Sequence, residues 1–395
     1  MVLNSGGVVG FAGRYPLPSQ ARPRAADLVL AGRPLPLTGA LRIYTCGITP
    51  YDVTHLGHAA TFVWADLLVR VARALEVKTV SCRNVTDIDD VLTHAAEQRH
   101  RHYDELAVTQ EFLFDRDMRD LSVDRPDLVP HARGHVPQVI GLVESLLALG
   151  RAYEVEGTVY FDARPGEAGG LDLAGLTDQA ALAGLAEFGD TPGGGDAGDV
   201  RRSPYDVPVW KPSPEDHPAW PSPWGWGRPA WHVECAAMAA TAFGPSLDVL
   251  VGGADLAFPH HAYQAAMVQA ASGVSPFARV RMHVGTVHFA GAKMAKSTGN
   301  LVLVRDLLAE QPGAVLRLLL LDRAWHAPWE YQEALLTTAA ERLAALHAAA
   351  GRLGSGSRDH VLAALVQDLD VPAALDLAIE QGGESARALI DLLRL

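Results

Sequence analysis

Apolar positions along the chain switch between two periods. Leu41–Cys46 (LRIYTC) is a short β-rich run that closes on Cys46-Gly47 and the turn-prone Thr49-Pro50. From Gly57 to Leu75 the pattern turns helical, with Phe62, Ala65, Leu68, Val69 and Ala72 recurring at three and four. Thr79–Val85 (TVSCRNV) predicts a second buried strand. Strand, helix and strand in succession make a βαβ unit, which implies a parallel sheet with a right-handed crossover. Helices are predicted over about 103–118 and 134–150, then a strand pair near 153–162. Leu247–Gly252 reads as a further strand, 259–272 as a helix opened by Pro259, and Arg279–Val287 as another strand. After Asn300, leucine and alanine keep helical spacing to residue 395, and there is no internal repeat. The expected fold class is α/β: a doubly wound parallel sheet of Rossmann-like kind with an insertion and a C-terminal helical bundle. The expected boundaries are a Pro- and Arg-rich N-terminal arm over 1–40 and the α/β domain over 41–310. A connective segment is inserted at about 100–230, and the bundle occupies 311–395.

Composition narrows the class. With 395 residues, 49% hydrophobic and 20% charged, the chain is too long and apolar for a disordered segment. No apolar run reaches the roughly 18 residues of a membrane span, and the start lacks a secretory pattern. The expectation is a cytoplasmic protein with no membrane partner. Three cysteines, Cys46, Cys82 and Cys235, argue against a disulfide framework. A net charge of −13 argues against a protein built to coat nucleic acid. Of 33 basic residues only four are lysine, Lys78, Lys211, Lys293 and Lys296. Two of these four fall in Lys293-Met294-Ala295-Lys296-Ser297, as expected where a compact ammonium is required rather than a guanidinium. Residues 164–205, rich in Gly, Asp and Pro, read as a mobile insertion.

His55-Leu56-Gly57-His58 lies where a strand hands over to a helix, the place where backbone N–H groups and the helix dipole meet phosphate in a doubly wound sheet. Alone, the pair also fits a metal pair or two surface histidines. The lysine stretch, flanked by Gly291 and Gly299, suits a mobile loop that neutralises charge as an α-phosphate is attacked and pyrophosphate leaves. Together and in this order the two motifs resemble the HIGH and KMSKS signatures of the class I aminoacyl-tRNA synthetases. Ala295 stands where that family's second motif has serine.

A third group has Cys46 at a strand end, Cys235 in Trp231-His232-Val233-Glu234-Cys235, and His260 in Phe258-Pro259-His260-His261. Two thiolates and an imidazole suit a tetrahedral zinc ion with one position open. Each cysteine alone would equally be a small core residue, and Cys82 is read that way. Asp89 and Asp90 read as an acidic pair at a helix start. The segments Cys46–Thr49, Asn84–Asp90, Trp224–Cys235 and Gly252–His261 resemble the cysteinyl-tRNA synthetase group, over about 41–305 with a looser match beyond. That resemblance implies one zinc ion that binds the substrate thiol. Gln264 stands where the synthetases carry a glutamate ligand, so three protein ligands are expected: Cys46, Cys235 and His260.

Cys46–Ala60 (CGITPYDVTHLGHAA) resembles the mycothiol-pathway cysteine ligases, relatives of the synthetases. The 361–395 stretch holds only Arg387 and Arg394 as basic residues, so no separate anticodon-binding domain and no tRNA partner are expected. The resemblance implies a class I synthetase-type fold and an AMP-forming ligase. Such a ligase activates L-cysteine with Mg2+-ATP and passes it to the amine of glucosaminyl-inositol. Cys46, Gly47, Ile48, Thr49, Thr61, Asn84, Val85, Thr86, Trp231, Gly253, Ala254, Asp255 and Val287 would surround the cysteinyl-AMP. His55, His58, Lys293 and Lys296 would serve the phosphates and the transition state. A monomer is expected. A paralogue with another acceptor amine or carrier, a cysteinyl-tRNA synthetase, and a non-catalytic protein on the same scaffold remain as alternatives.

Overall fold

Four parallel strands carry the site, and their burial follows from their place in the sheet. The structure, a computed structural model, describes residues 22–167, 169–173, 175–187, 200–294 and 299–395. Strand β1 (Leu41–Ile48) leads through helix α1 (Leu56–Ala74) to β2 (Thr79–Val85), which pairs parallel to β1. Helices α2 (Asp90–Gln98), α3 (Tyr103–Asp120) and α4 (Val136–Ala148) follow. Next come four short strands, β3 (Ala152–Val155), β4 (Thr158–Phe161), β5 (Val207–Pro212) and β6 (Gly227–Pro229), which form an antiparallel sheet in that order, with α5 (Asp178–Glu187) between β4 and β5. Helix α6 (Trp231–Phe243) then enters β7 (Leu247–Gly253), and α7 (Ala262–Ser272) crosses to β8 (Ala278–Val284). The main sheet has the order β8-β7-β1-β2, all parallel. Central β1 and β7 are buried nearly throughout, as expected of strands covered on both faces, whereas edge strand β8 alternates buried and half-buried positions. Two βαβ halves therefore meet between β1 and β7. A doubly wound sheet opens a crevice for ligand beyond the carboxyl ends of such a pair.

At the opposite end of the same strands, Asp248 of β7 clips its neighbours together. It accepts from the Arg42 N–H at 2.9 Å and from the Arg42 and Arg279 guanidinium groups at 3.2 and 3.0 Å. One face of the sheet and α1 share a continuous apolar core with the C-terminal helices α8 (Val304–Glu310), α9 (Gly313–Leu321), α10 (Ala334–Ala350), α11 (Arg358–Leu365), α12 (Val371–Gln381) and α13 (Glu384–Leu393). Fully buried Arg317 of α9 braces that junction by donating to Asp66 of α1, to Leu121 O and to Leu393 O. The other face packs on α4, α6, α7 and the antiparallel sheet in a second core. No helix among the described residues is long and apolar enough to cross a membrane.

Two expectations need correcting. The helix assigned to 259–272 begins only at Ala262, because Phe258, which precedes a proline, is held extended (φ −140°, ψ 136°) and Ala257–His261 form a wider turn. The strand assigned to Arg279–Val287 ends at Val284. The Gly285 N–H bonds to Trp325 O instead of continuing the ladder, and β9 (Val287–Phe289) pairs with Ala292–Lys293 and Trp329–Glu330 in a separate sheet. Within the segment 164–205, expected as a mobile insertion, α5 buries Ala181 and Leu185 in the second core. Residues 188–199 within that segment, like 1–21 of the expected N-terminal arm, lie outside the described residues.

Candidate active site

A cavity of about 300 Å3 opens beyond the carboxyl ends of β1 and β7. Strand β1 and the turn after it contribute Cys46, Gly47, Ile48, Thr49 and Tyr51. Helix α1 presents His55, Gly57, His58 and Thr61, and the end of β7 presents Gly253, Ala254 and Asp255. Trp231 of α6, Val287 of β9, Lys293 of the strand paired with β9 and Met294 after it add to the wall.

His55 is the N-cap of α1, its Nδ1 accepting from the Gly57 N–H at 3.1 Å. That cap satisfies one of the unpaired donors of a helix start. A Cβ at residue 57 would meet the His55 ring at 2.9 Å, so glycine there leaves room for the ring in this position. The His58 ring stacks on His55 with centroids 4.0 Å apart. The histidines therefore stand over the positive end of a 19-residue helix. Across the cavity, Lys293 Nζ lies 2.9 Å from Asp255 Oδ2. Met294 is buried and its N–H donates to Val287 O at 3.0 Å, which anchors the start of the lysine loop to β9. Lys296 lies outside the described residues.

At the other end, Cys46, Cys235 and His260 are all buried, and their ligand atoms lie within 4.8 Å of one another. His260 Nδ1 is 2.8 Å from His232 Nδ1, whereas its Nε2 is buried and has no hydrogen-bond partner among the described residues. The Trp231 ring stacks on the His260 ring at 3.9 Å. Burial, with His232 and His261 adding, pushes the His260 imidazole well below its usual range, so it is neutral, as a metal ligand must be. Burial, then Cys46, raises the Cys235 thiol well above its usual range. A divalent cation reverses that preference by favouring the thiolate. The donor set and the orphaned Nε2 fit zinc. Gln264, one helical turn beyond His260, donates Nε2 to Cys235 O at 3.2 Å, and Cys46 Sγ donates to its Oε1 at 3.7 Å.

Thirteen residues were expected around a cysteinyl-AMP. Ten of them (Cys46, Gly47, Ile48, Thr49, Thr61, Trp231, Gly253, Ala254, Asp255 and Val287) line this cavity. Asn84, Val85 and Thr86 stand in the layer behind it. Asn84 touches Gly47 and Cys235, Val85 is fully buried, and Thr86 Oγ1 is 2.7 Å from Thr49 Oγ1. Asp89 caps α2 by accepting from the Val91 N–H, whereas Asp90, in the first turn of α2, pairs with Lys211 and Arg228 of the antiparallel sheet. Cys82 is a buried strand residue. Tyr51, Met294 and the Asp255–Lys293 pair were not anticipated in these places. Tyr51 could have been found, since it belongs to the same turn segment as Thr49; the ion pair joins distant positions and leaves no local signal.

The fold is that of the class I aminoacyl-tRNA synthetases. Mycobacterium tuberculosis methionyl-tRNA synthetase in complex with methionyl-adenylate superimposes with a TM-score of 0.58 at 17% identity, over 90% of this chain and 82% of that one. An Agrobacterium radiobacter leucyl-tRNA synthetase ternary complex gives 0.59 at 10%, over 93% and 84%. Residues 36–341 match the family of tRNA synthetases class I (C) catalytic domains. An L-cysteine:1D-myo-inositol 2-amino-2-deoxy-alpha-D-glucopyranoside ligase of Acidothermus cellulolyticus is 42% identical, over 94% of this chain and 91% of the relative. A cysteine–tRNA ligase of Rhodospirillum rubrum is 38% identical, over 85% and 73%. The chain belongs to the class I (C) tRNA synthetase family, as an ATP-dependent ligase related to the cysteinyl-tRNA synthetases.

Proposed function

We propose that the protein activates L-cysteine with ATP and transfers the cysteinyl group to the amine of glucosaminyl-inositol, the reaction of mycothiol biosynthesis. The observation that carries this reading is the 42% identity to a ligase of that acceptor, extending over 91% of the relative. In the first step a cysteine carboxylate oxygen attacks the α-phosphorus of ATP, and pyrophosphate leaves. In the second the acceptor nitrogen attacks the cysteinyl carbonyl, the bond to AMP breaks, and an amide forms with loss of a proton.

The positions of the described residues support the roles that this reading gives them. His55, His58 and the start of α1 face the phosphates of the Mg2+-ATP complex. Lys293 offsets charge that grows on the phosphoryl oxygens, and Lys296 would act with it from the same loop. The ammonium of Lys293 must leave Asp255 to do so, which frees Asp255 for a ribose hydroxyl or the substrate ammonium. Thr61, Trp231 and the Gly253–Asp255 turn hold the adenylate between the two ends, with Val287 backing the adenine. Cys46, Cys235 and His260 would hold one zinc ion. Zinc supplies a thiolate-selective position, so that serine and alanine are rejected far more strongly than an apolar pocket allows.

The test measures AMP release from ATP and L-cysteine by zinc-loaded protein, with either glucosaminyl-inositol or tRNA added. Release that rises only with the amino-sugar, with an amide of the expected mass, is the result expected. Release stimulated only by tRNA would replace this reading with that of a cysteine–tRNA ligase, the activity named for relatives 36–38% identical. Cysteine-dependent pyrophosphate exchange with neither acceptor active would place the transfer on another amine.

A further inference from the structure

Asn84 lies next to the end of β2, is 1% exposed, and does not line the cavity. Its side-chain oxygen accepts from the Gly47 N–H at 2.8 Å. A backbone N–H can only donate, so this bond fixes which way round the amide lies. The Nδ2 group must then point away from Gly47, and it lies 3.1 Å from Cys235 Sγ. The two segments approach this closely only because residue 47 carries no side chain: a Cβ there would stand 1.8 Å from Asn84 O. A single amide thus ties the backbone just past Cys46 to the sulfur of Cys235, joining β1, β2 and α6.

We propose that Asn84 is a positioning residue of the metal centre, its amide holding the Cys235 sulfur in place and drawing charge from it by an N–H···S hydrogen bond. This rests on the reading of Cys46, Cys235 and His260 as metal ligands. A thiolate sulfur bound to a cation keeps lone pairs directed away from the ion, and a donor placed there fixes its rotamer and tempers its basicity. Gln264 holds the same residue from the other side through the Cys235 carbonyl, so Cys235 is braced at both sulfur and backbone. Aspartate in place of Asn84 would retain the bond from the Gly47 N–H but would present an acceptor to the sulfur.

The experiment uses full-length protein loaded with Co2+. Asn84→Asp is expected to weaken Co2+ binding in chelator competition by roughly 10–100-fold and to shift the sulfur-to-cobalt charge-transfer band. KM for L-cysteine is expected to rise with KM for ATP unchanged. Unmutated protein loaded with 113Cd2+ and labelled with 15N-asparagine avoids any loss of folding in the variant. There, the Asn84 side-chain proton should show scalar coupling to 113Cd through the sulfur. Absence of that coupling, or an Asn84→Asp protein with wild-type affinity and band, overturns the role of Asn84. Co2+ binding that Cys235→Ser leaves intact would instead sink the metal reading, and the Asn84 proposal with it.

Discussion

Behind Cys46, which lines one end of the cavity, Cys235 and His260 complete a buried cluster that hangs from a central strand, a helix and the turn before another helix. At the other end His58 and Lys293 sit on a helix start and a two-residue strand, half-buried, with Lys293 held by Asp255. The difference reflects what each end is asked to do. Discrimination of one small side chain needs donors fixed before the substrate arrives, so the proposed metal end is built on rigid elements and kept dry. Phosphate chemistry handles several charges that arrive, shift and depart with pyrophosphate. Its groups therefore stay nearer water than the metal end does.

The strongest way to break this comparison is at the buried end. Cys235→Ser is expected to abolish stoichiometric metal binding and to lower cysteine-dependent pyrophosphate exchange by roughly 10³-fold, as loss of several kcal/mol of fixed stabilisation would. Metal analysis alongside the exchange assay checks both halves. Retained metal with lost exchange would mean that the sulfur contacts substrate and not an ion. Lys293→Ala should lower the rate constant for exchange by roughly 10²-fold while metal content and KM for cysteine stay the same. A large rise in KM for cysteine in that variant would mean the two ends are not separate.

How far each end was legible depends on whether its signal is local. Strands β1 and β2 and helix α1 were readable because two short β-rich runs flank a helical apolar period, although Arg42, Ser81, Arg83 and Asn84 interrupt the runs. The cysteines and histidines of both ends were readable by chemical type. Helix α6 gave no such signal: Trp231–Phe243 is buried on nearly every side in its first nine residues and shows no polar stripe. Pro259 suggested a helix start, since proline favours the first turn, but the restriction it places on Phe258 delays the helix to Ala262. The contact of Asn84 with Cys235 joins positions 151 residues apart, so only the folded chain reveals it. Asn84 was therefore placed beside the adenylate by resemblance, although its side chain faces the sulfur.

Between the two ends stands Asp255, and a smaller change there sharpens the comparison. Asp255→Asn removes the partner of Lys293, and loss of one charge-assisted hydrogen bond to substrate corresponds to about tenfold in KM. A rise in KM for ATP alone would assign the carboxylate to the ribose end, and a rise in KM for cysteine alone to the substrate ammonium. If Asp255 serves only to hold Lys293, the Asp255→Asn, Lys293→Ala double variant will be no worse than Lys293→Ala.

The smallest effect is expected from the far end of the strands, which supports both ends of the site while touching neither. Burial alone would raise the Asp248 carboxyl, but the Arg42 N–H and the Arg279 and Arg42 guanidinium groups outweigh it and hold it below the usual carboxylate range. A carboxyl whose pKa is lower folded than unfolded adds stability above the unfolded value of about 3.9, and that contribution is lost as pH falls through the folded value. Asp248→Asn should therefore cost about 2 kcal/mol in urea unfolding at neutral pH. The gap to wild type should close as the buffer is taken from about pH 5 towards about pH 2. KM for ATP and for cysteine should not move, because the clip ties β1, β7 and β8 at their starts while the cavity lies beyond their carboxyl ends. A shift in cysteine KM alone would show that the buried end is sensitive to the register of its strands and the solvated end is not. Equal shifts in both would mean that the rigidity of the sheet is shared, and that the contrast between the ends lies in their side chains alone.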